Sequence, residues 1–379
     1  MSLQTIYVGR LDEEKGISHL IQAMKILLSE SKNIILHIYG TGAYRDNIER
    51  LAQEYPKNIF YYGWQKKNTI LNQWKEMDYF IMPSQFLETF GLTACESLLL
   101  WVPVVGNKKG GLIPFIDNVL DITHYKGNHD GEKLATLLQH LITNKIEKKD
   151  FSDFIQQTKT LYSKDARYRQ IKHFLPLEKE ILLISDYINY NGGGIETHIH
   201  DSITILKRHH HNTLVYGHHA IQGKFARLTK LFIMALSLIN VPSALRIKLF
   251  LKRRSVWLIW WHSISRTIGR LPLTVCNINN QIITHHELWL FHPYPSKTYS
   301  LDQIPKARSL HSFIQAGKPN NTLQIIAIIG KYSLIWLIHK QLKRKIKTHI
   351  VPSERMVSMV KQRHPQAQVV CIPHFVDLE

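Results

Sequence analysis

The chain has 379 residues, enough to bury two sizeable cores. Its formal net charge of +19 is unevenly shared: residues 1–178 hold 22 Lys and Arg against 20 Asp and Glu, whereas residues 179–379 hold 26 against 9. Cys95, Cys276 and Cys371 are isolated and odd in number, which supports neither a disulfide framework nor a cysteine metal site.

Thr5-Ile6-Tyr7-Val8 reads as a short apolar strand. It runs into Gly9-Arg10-Leu11-Asp12-Glu13-Glu14-Lys15-Gly16 and then an amphipathic helix from Ile17 to Leu28. Gly9 lets the backbone turn, and Arg10 and Lys15 set two cations beside a helix start, an arrangement suited to a diphosphate. A second strand, Ile34 to Tyr39, ends in Gly40-Thr41-Gly42, and a third follows within Asn58 to Trp64. The apolar run Tyr79-Phe80-Ile81-Met82 predicts a buried strand, Pro83 to Gly91 a loop, and Leu92 the start of a helix. Glu88 lies in that loop and Glu96 on the first helical turns, and each carboxylate can accept hydrogen bonds from two neighbouring hydroxyls of a polyhydroxylated ligand. Trp101 to Gly106 is the next strand, Gly110-Gly111 the loop after it, and residues 131–143 and 151–170 are closing helices. Strands alternating with helices predict a parallel, doubly wound sheet.

The pattern restarts at Glu180. Ile181 to Tyr187 is a buried strand, Asn191-Gly192-Gly193-Gly194-Ile195-Glu196-Thr197-His198 a glycine-rich turn into a helix through Lys207, and Asn212 to Tyr216 a second strand. Glycines at a helix N-terminus let backbone amides approach an anion or a sugar. Ser255 to Ser263 reads as a strand ending in a histidine, and Gln281 to Pro293 contains Thr284-His285-His286-Glu287. His209-His210-His211 and His218-His219 read as a solvated loop rather than a metal site. No run reaches the length of a transmembrane helix: Leu231 to Leu245 is broken by Asn240 and Pro242, and Leu323 to His339 carries Lys331. Lys248, Lys252, Arg253 and Arg254 interleave with aliphatic residues, and Lys340, Lys343, Arg344, Lys345 and Lys347 follow the apolar run Ile325 to Ile338. Such basic amphipathic stretches favour an anionic bilayer surface. No nucleic-acid recognition motif accompanies them, so no nucleic-acid partner is expected.

Glu88 and Glu96, with Ser84, Phe90-Gly91-Leu92 and the Glu-Ser-Leu word, resemble the Glu-x7-Glu signature of retaining, GT-B-fold glycosyltransferases of family 4. The resemblance covers nearly all of residues 4–170. It implies that Glu88 touches the donor sugar, that Glu96 holds the ribose, and that Arg10 and Lys15 stabilise the leaving pyrophosphate. It also implies donor-binding places for Gly9, Gly40, Gly42, Ser84, Phe90, Gly91 and Leu92. The second half resembles the acceptor-binding domain of the same enzymes, with Gly192, Gly193, Gly194 and Glu287 lining the cleft and His286 positioning a donor hydroxyl or the acceptor. Glu287 stands where Asp is more usual.

The expected fold is therefore α/β with two Rossmann-like doubly wound domains in inverted order: a donor domain over 1–170, a connector over 171–180 and an acceptor domain over 181–379. Circular permutation, or a window spanning two tandem enzymes, explains the inversion. The expected activity is transfer of a hexose or related sugar from a nucleotide-diphosphate sugar to a glycan or lipid-linked acceptor, with no cofactor and no metal. The expected location is cytoplasmic, peripheral on the inner face of the membrane. Two other readings stay open: a catalytically silent module of mismatched halves, and, less favoured, a phosphorylase or epimerase on a related fold.

Overall fold

The computed structural model describes residues 2–144, 146–175, 179–187, 194–218, 241–262, 270–286, 291 and 310–374. It divides into two compact units, Met1–Ser163 and Lys164–Asp377.

The first unit carries five strands, β1 (Leu3–Val8), β2 (Ile34–Tyr39), β3 (Ile59–Tyr61), β4 (Tyr79–Met82) and β5 (Val104–Gly106). All pair in parallel, in the order β3-β2-β1-β4-β5. Helices α1 (Ile17–Ser29), α2 (Arg45–Glu54), α3 (Lys67–Lys75) and α4 (Leu92–Leu99) follow β1 to β4, and α5 (Asp130–Asn144) and α6 (Ser152–Tyr162) close the unit. A sheet covered on both faces demands continuous apolar strands, and β4 is buried at all four positions. α1 forms because Ile17, Leu20, Ala23, Met24 and Leu27 recur at helical spacing, and these are its buried residues. From β1 the chain builds outward to β2 and β3, then returns to place β4 on the other side of β1. The crevice at the carboxyl ends of β1 and β4 is thus the topological switch point, where open α/β sheets bind ligands.

The second unit begins with α7 (Lys164–Ile171) and continues as β6 (Glu180–Tyr187), α8 (Gly194–Arg208), β7 (Asn212–His218), α9 (Val241–Lys252) and β8 (Val256–Trp261). Then come α10 (Arg270–Val275), β9 (Gln281–Thr284), α11 (Leu310–Gly317), α12 (Thr322–Lys345), β10 (Thr348–Val351), α13 (Glu354–Arg363) and β11 (Gln368–Cys371). Its six strands are again all parallel, in the order β11-β10-β9-β8-β6-β7, with the switch point between β6 and β8. Ile181, Leu183, Leu258, Trp260, Ile282 and Ile350 form the core of the sheet. The two buried indoles are satisfied, Trp260 Nε1 donating to Thr284 Oγ1 at 2.8 Å and Trp261 Nε1 to Gln281 Oε1 at 2.9 Å.

The doubly wound expectation holds in both units, but three local expectations are corrected. The helix read over 151–170 is two helices, because Ser163 adopts an extended backbone (φ −61°, ψ 152°). The second of them, α7, packs with the second unit: Ile171 joins its core, Tyr168 stacks on His209 at 3.5 Å, and the Tyr168 hydroxyl bonds His211 Nε2 at 2.9 Å. The break between units therefore falls at Ser163, one helix before residue 170. His211 is buried rather than solvated, held by that tyrosine; His219 lies outside the described residues. Finally, α12 is long and apolar enough, by length and composition, to cross a bilayer. Lys is a good helix former, so the helix continues through Lys331 where the apolar run stops.

Candidate active site

Local backbone chemistry assembles a candidate site at the β1/β4 crevice of the first unit. After β1 the chain makes a short 3-10 turn, Glu13–Lys15, and reverses at Gly16, whose φ of +75° caps α1. A Cβ on Gly16 would stand 2.0 Å from the Pro83 carbonyl oxygen. Only glycine permits this approach, which lays the loop after β1 against the loop after β4. Gln85 N donates to Glu14 O at 2.9 Å and locks the two loops together.

Lys15 and Glu88 meet in consequence, Nζ to Oε1, at 2.7 Å, with both side chains largely shielded. The same Oε1 accepts from Ser84 Oγ at 2.9 Å, and Lys15 Nζ lies 4.4 Å from the centre of the Phe86 ring. Gly111 N fixes the Glu88 carbonyl at 2.8 Å. Arg10, more exposed, forks between Asp12 and Glu14 at 2.6 Å each. Beneath it Tyr7 is buried and donates to Arg10 O at 2.6 Å. Burial and the nearby Glu88 carboxylate raise the Tyr7 pKa, so the phenol keeps its proton. Glu96, buried on α4, pairs with Lys67 Nζ at 2.8 Å. α4 opens at Gly91, which offers no capping side chain, so the first amides of the helix have no intrahelical partner.

Three of the predicted glycines have a backbone explanation. Cβ atoms on Gly40 and Gly42 would stand 1.8 Å from Gly9 O and 2.5 Å from Leu11 O, and Gly9 N bonds Tyr39 O at 3.0 Å. They bring the loops after β1 and β2 into contact. Phe90 is a core side chain, edge-on to Phe115 at 5.1 Å, so it offers a ligand only its backbone.

Sequence reasoning missed Lys67, Lys109, Asn107 and Asp130. Lys109 Nζ donates to Gln85 O at 2.6 Å, and burial lowers its pKa from the ordinary lysine value. Asn107 Nδ2 bridges Ser84 O at 3.2 Å and Asp130 Oδ2 at 3.3 Å. Burial opposes the Asp130 carboxylate, but hydrogen bonds from Gln85 and Asn107 more than offset it and lower its pKa. Lys109 precedes the Gly110-Gly111 word, the one signal that could have found it.

The second unit holds its own cluster at the carboxyl edge of its sheet. His286, just beyond β9, is flanked by His262 after β8, with Nδ1 of His262 2.9 Å from Nε2 of His286. On its other side Nδ1 of His286 lies 3.4 Å from Nε2 of His374, beyond β11. His198, on the second turn of α8, packs 4.3 Å from the His374 ring and 4.9 Å from the His286 ring. All four are buried, and burial holds His262, His286 and His374 well below the ordinary histidine pKa. His262, His286 and His374 are thus neutral at pH 7, each ring able to donate at one nitrogen and accept at the other. His262 Nε2 has no hydrogen-bond partner among the described residues. Ring nitrogens of His198, His262 and His286 lie within 4.8 Å of one another, a set that could hold a metal ion and that the sequence reading did not find. Of the predicted acceptor residues, Gly194 heads α8. Gly192, Gly193 and Glu287 lie outside the described residues.

A second buried group sits one residue away: His285 Nε2 lies 2.9 Å from His349 Nδ1, and His339 Nδ1 lies 2.8 Å from His364 Nε2. Burial lowers His349 to about 4 from an ordinary 6.5. The unfolded chain therefore takes up this proton near pH 6.5 while the folded chain resists until about 4. Stability is complete above pH 6.5 and falls as the pH drops toward 4, by on the order of 3 kcal/mol for His349 alone. Urea midpoints measured between pH 7.5 and 4.5 should fall steadily, and His349→Gln should flatten that slope. An unchanged slope would show that the buried ring is not the group being titrated.

Residues 2–158 match the family model described as "Glycosyl transferases group 1". An uncharacterized glycosyltransferase of Methanocaldococcus jannaschii is 34% identical over 128 residues, 33% of this chain and 32% of that protein. A lipopolysaccharide 1,2-N-acetylglucosaminetransferase of Salmonella typhimurium is 30% identical over 120 residues, 29% of this chain and 32% of that protein. The matched stretch thus spans about a third of the length of these curated relatives. Among solved structures, the catalytic domain of the cholesterol-alpha-glucosyltransferase from Helicobacter pylori aligns with a TM-score of 0.35 at 18% identity, over 42% of this chain and 98% of that one.

Proposed function

We propose that this chain is a retaining GT-B glycosyltransferase of the family 4 type, with donor and acceptor units in inverted order. It moves a hexose from a nucleotide-diphosphate sugar to a glycan or lipid-linked acceptor, in assembly of cell-surface polysaccharide or glycolipid, at the cytoplasmic face of the membrane. One observation carries the reading: Lys15, Glu88 and Ser84 converge at the switch point of the unit that matches the group 1 model. A relative named for lipopolysaccharide synthesis supports the acceptor class.

In this reading Lys15, Arg10 and the uncapped amides of α4 hold the donor diphosphate. As the bond from the sugar's anomeric carbon to the phosphate oxygen breaks, negative charge grows on the departing diphosphate, and fixed cations stabilise that charge more than the ground state. Glu88 accepts from sugar hydroxyls and Glu96 from the ribose. The acceptor oxygen bonds the anomeric carbon on the face the phosphate leaves, and its proton passes to the departing phosphate oxygen. His286 positions the acceptor or a donor hydroxyl. No step requires a metal, so exhaustive chelation should leave turnover within about twofold, because the charge is met by side chains and a helix end; a loss of activity restored by a divalent ion would overturn that part of the proposal.

The test is donor hydrolysis and transfer with UDP-, GDP- and ADP-sugars, with Glu88→Ala as control. Turnover of one donor, abolished by Glu88→Ala, supports a working enzyme and favours circular permutation. Binding without turnover favours a window on two tandem enzymes. No binding of any donor refutes the proposal.

A further inference from the structure

The exposed face of α12 is at odds with an ordinary surface helix. Its buried side is conventional: Ile328, Leu334, Ile335, Ile338 and Leu342 face the unit's interior. The opposite side should be polar if it met only water. Instead Leu323, Ile326, Ile329 and Trp336 are exposed there, at 77%, 60%, 37% and 52%. Ile326, Ile329, Ser333, Trp336, Lys340 and Lys343 follow one another at alternating steps of three and four, so they form one continuous stripe. The stripe is apolar but for Ser333 over its first three turns and cationic over its last, where Lys340, Lys343 and Arg344 are exposed and Lys347 follows. Lys340 Nζ lies 5.5 Å from the Trp336 ring centre, at the seam between the two halves.

The neighbouring helices extend this pattern. α10 packs against both α9 and α12. α9 exposes Leu245 and Leu249, at 54% and 56%, beside exposed Arg246, Lys248 and Lys252. Acidic side chains are absent from α12 and from α9.

The geometry points to a docking surface for an anionic phospholipid bilayer, with α12 lying along the interface rather than crossing it. Its apolar half enters the boundary of the acyl chains, and its cationic end meets lipid phosphates. Charge selects this occupant: Lys340, Lys343 and Arg344 call for anionic partners, and a second copy docked through the same helices would bring none, because neither α12 nor α9 carries an acidic residue. Crossing the bilayer would strip Ile335, Ile338 and Leu342 from the core and carry Lys331 through the hydrocarbon. The surface deepens the proposed lipid-face location and rests on that reading only for its purpose, because lipid binding is measured without any donor.

The experiment is cosedimentation of the full chain with phosphatidylglycerol-containing vesicles and with pure phosphatidylcholine vesicles. The expected result is binding to the anionic vesicles, weakened by salt, and little binding to the neutral ones. Ile326→Ser with Trp336→Ser, both at exposed positions, should weaken partitioning about tenfold with an unchanged urea midpoint. Lys340→Glu with Lys343→Glu and Arg344→Glu should abolish the preference for anionic lipid. Equal binding to both vesicles, or variants that bind like the parent, would overturn the proposal. So would light scattering that shows a dimer which the Ile326/Trp336 variant splits, since the stripe would then join two copies. Loss of transfer with vesicle binding intact would count against the enzyme reading and leave this surface standing.

Discussion

Lys15→Ala is expected to lower turnover of the best nucleotide-sugar donor about 10²- to 10³-fold, the usual cost of removing one fixed stabiliser of a developing negative charge. The loss should fall on kcat and kcat/KM together, because the interaction strengthens as the diphosphate departs. Structure also requires a stability cost. Lys15 and Glu88 are 20% and 10% exposed, and removal of the lysine leaves the carboxylate with Ser84 Oγ as its remaining hydrogen-bond donor among the described residues. That penalty should be about 1–3 kcal/mol. Measuring kcat beside the urea midpoint separates the two effects. Lys15→Arg keeps the charge but cannot reproduce both the 2.7 Å contact and the seat over Phe86. It should fall between the parent and the alanine variant. A folded Lys15→Ala protein with near-normal kcat would remove Lys15 from the proposed chemistry.

Gly16→Ala should be among the most destabilising single-methyl changes in the first unit's site. Its left-handed backbone alone costs an alanine roughly 1–2 kcal/mol. The added Cβ would also stand 2.0 Å from the Pro83 carbonyl oxygen, a backbone atom that no rotamer change can move aside. Relief requires the loops after β1 and β4 to separate, so the total is expected to reach about 3–5 kcal/mol, in the range reserved for strained positions. Gly63→Ala is the control. Its φ is similar, +69°, but a Cβ there meets only the Tyr61 hydroxyl, at 4.0 Å. That variant should lose only about 1–2 kcal/mol. Equal urea midpoints for the two variants would mean that the close approach does not hold the site together. Parting the loops also moves Lys15 from Glu88, so Gly16→Ala should lose turnover as well as stability.

Much of this was readable from the chain because it is local. Strand–helix alternation and the Glu88-to-Glu96 loop depend on residues within a few positions of one another, and periodicity reports them well. The pairs that complete the site are not local. Lys15 meets Glu88 across 73 positions, and Lys67 meets Glu96 only once α3 and α4 have packed. No periodicity encodes such meetings; they follow from which strands become neighbours. The histidine cluster is the extreme case. His262 and His286 are 24 positions apart, and His286 and His374 are 88 apart. His262, His286 and His374 each follow a different strand, and only the parallel sheet delivers them to one edge. The helix boundary at Ser163 was missed for another reason. Residues 151–170 carry no glycine or proline to announce a break, and tertiary packing of α7 decides it.

His285 and His286 are adjacent, yet each serves a different buried group, His285 with His349 and His286 with His262. Consecutive residues at a strand end face opposite sides of the sheet, so this tandem pair acts as a reading-frame marker for β9. A slip of one position would hand one side's ring to the other and leave a vacancy behind it, whereas a slip of two would restore the facing but break the pairing with Ile259 to Trp261. Insertion of a single residue between Asn277 and Asn280 must therefore be absorbed wholly in the loop. Where it is not, both faces of the sheet fail at once, which makes this short strand unforgiving of a change of length.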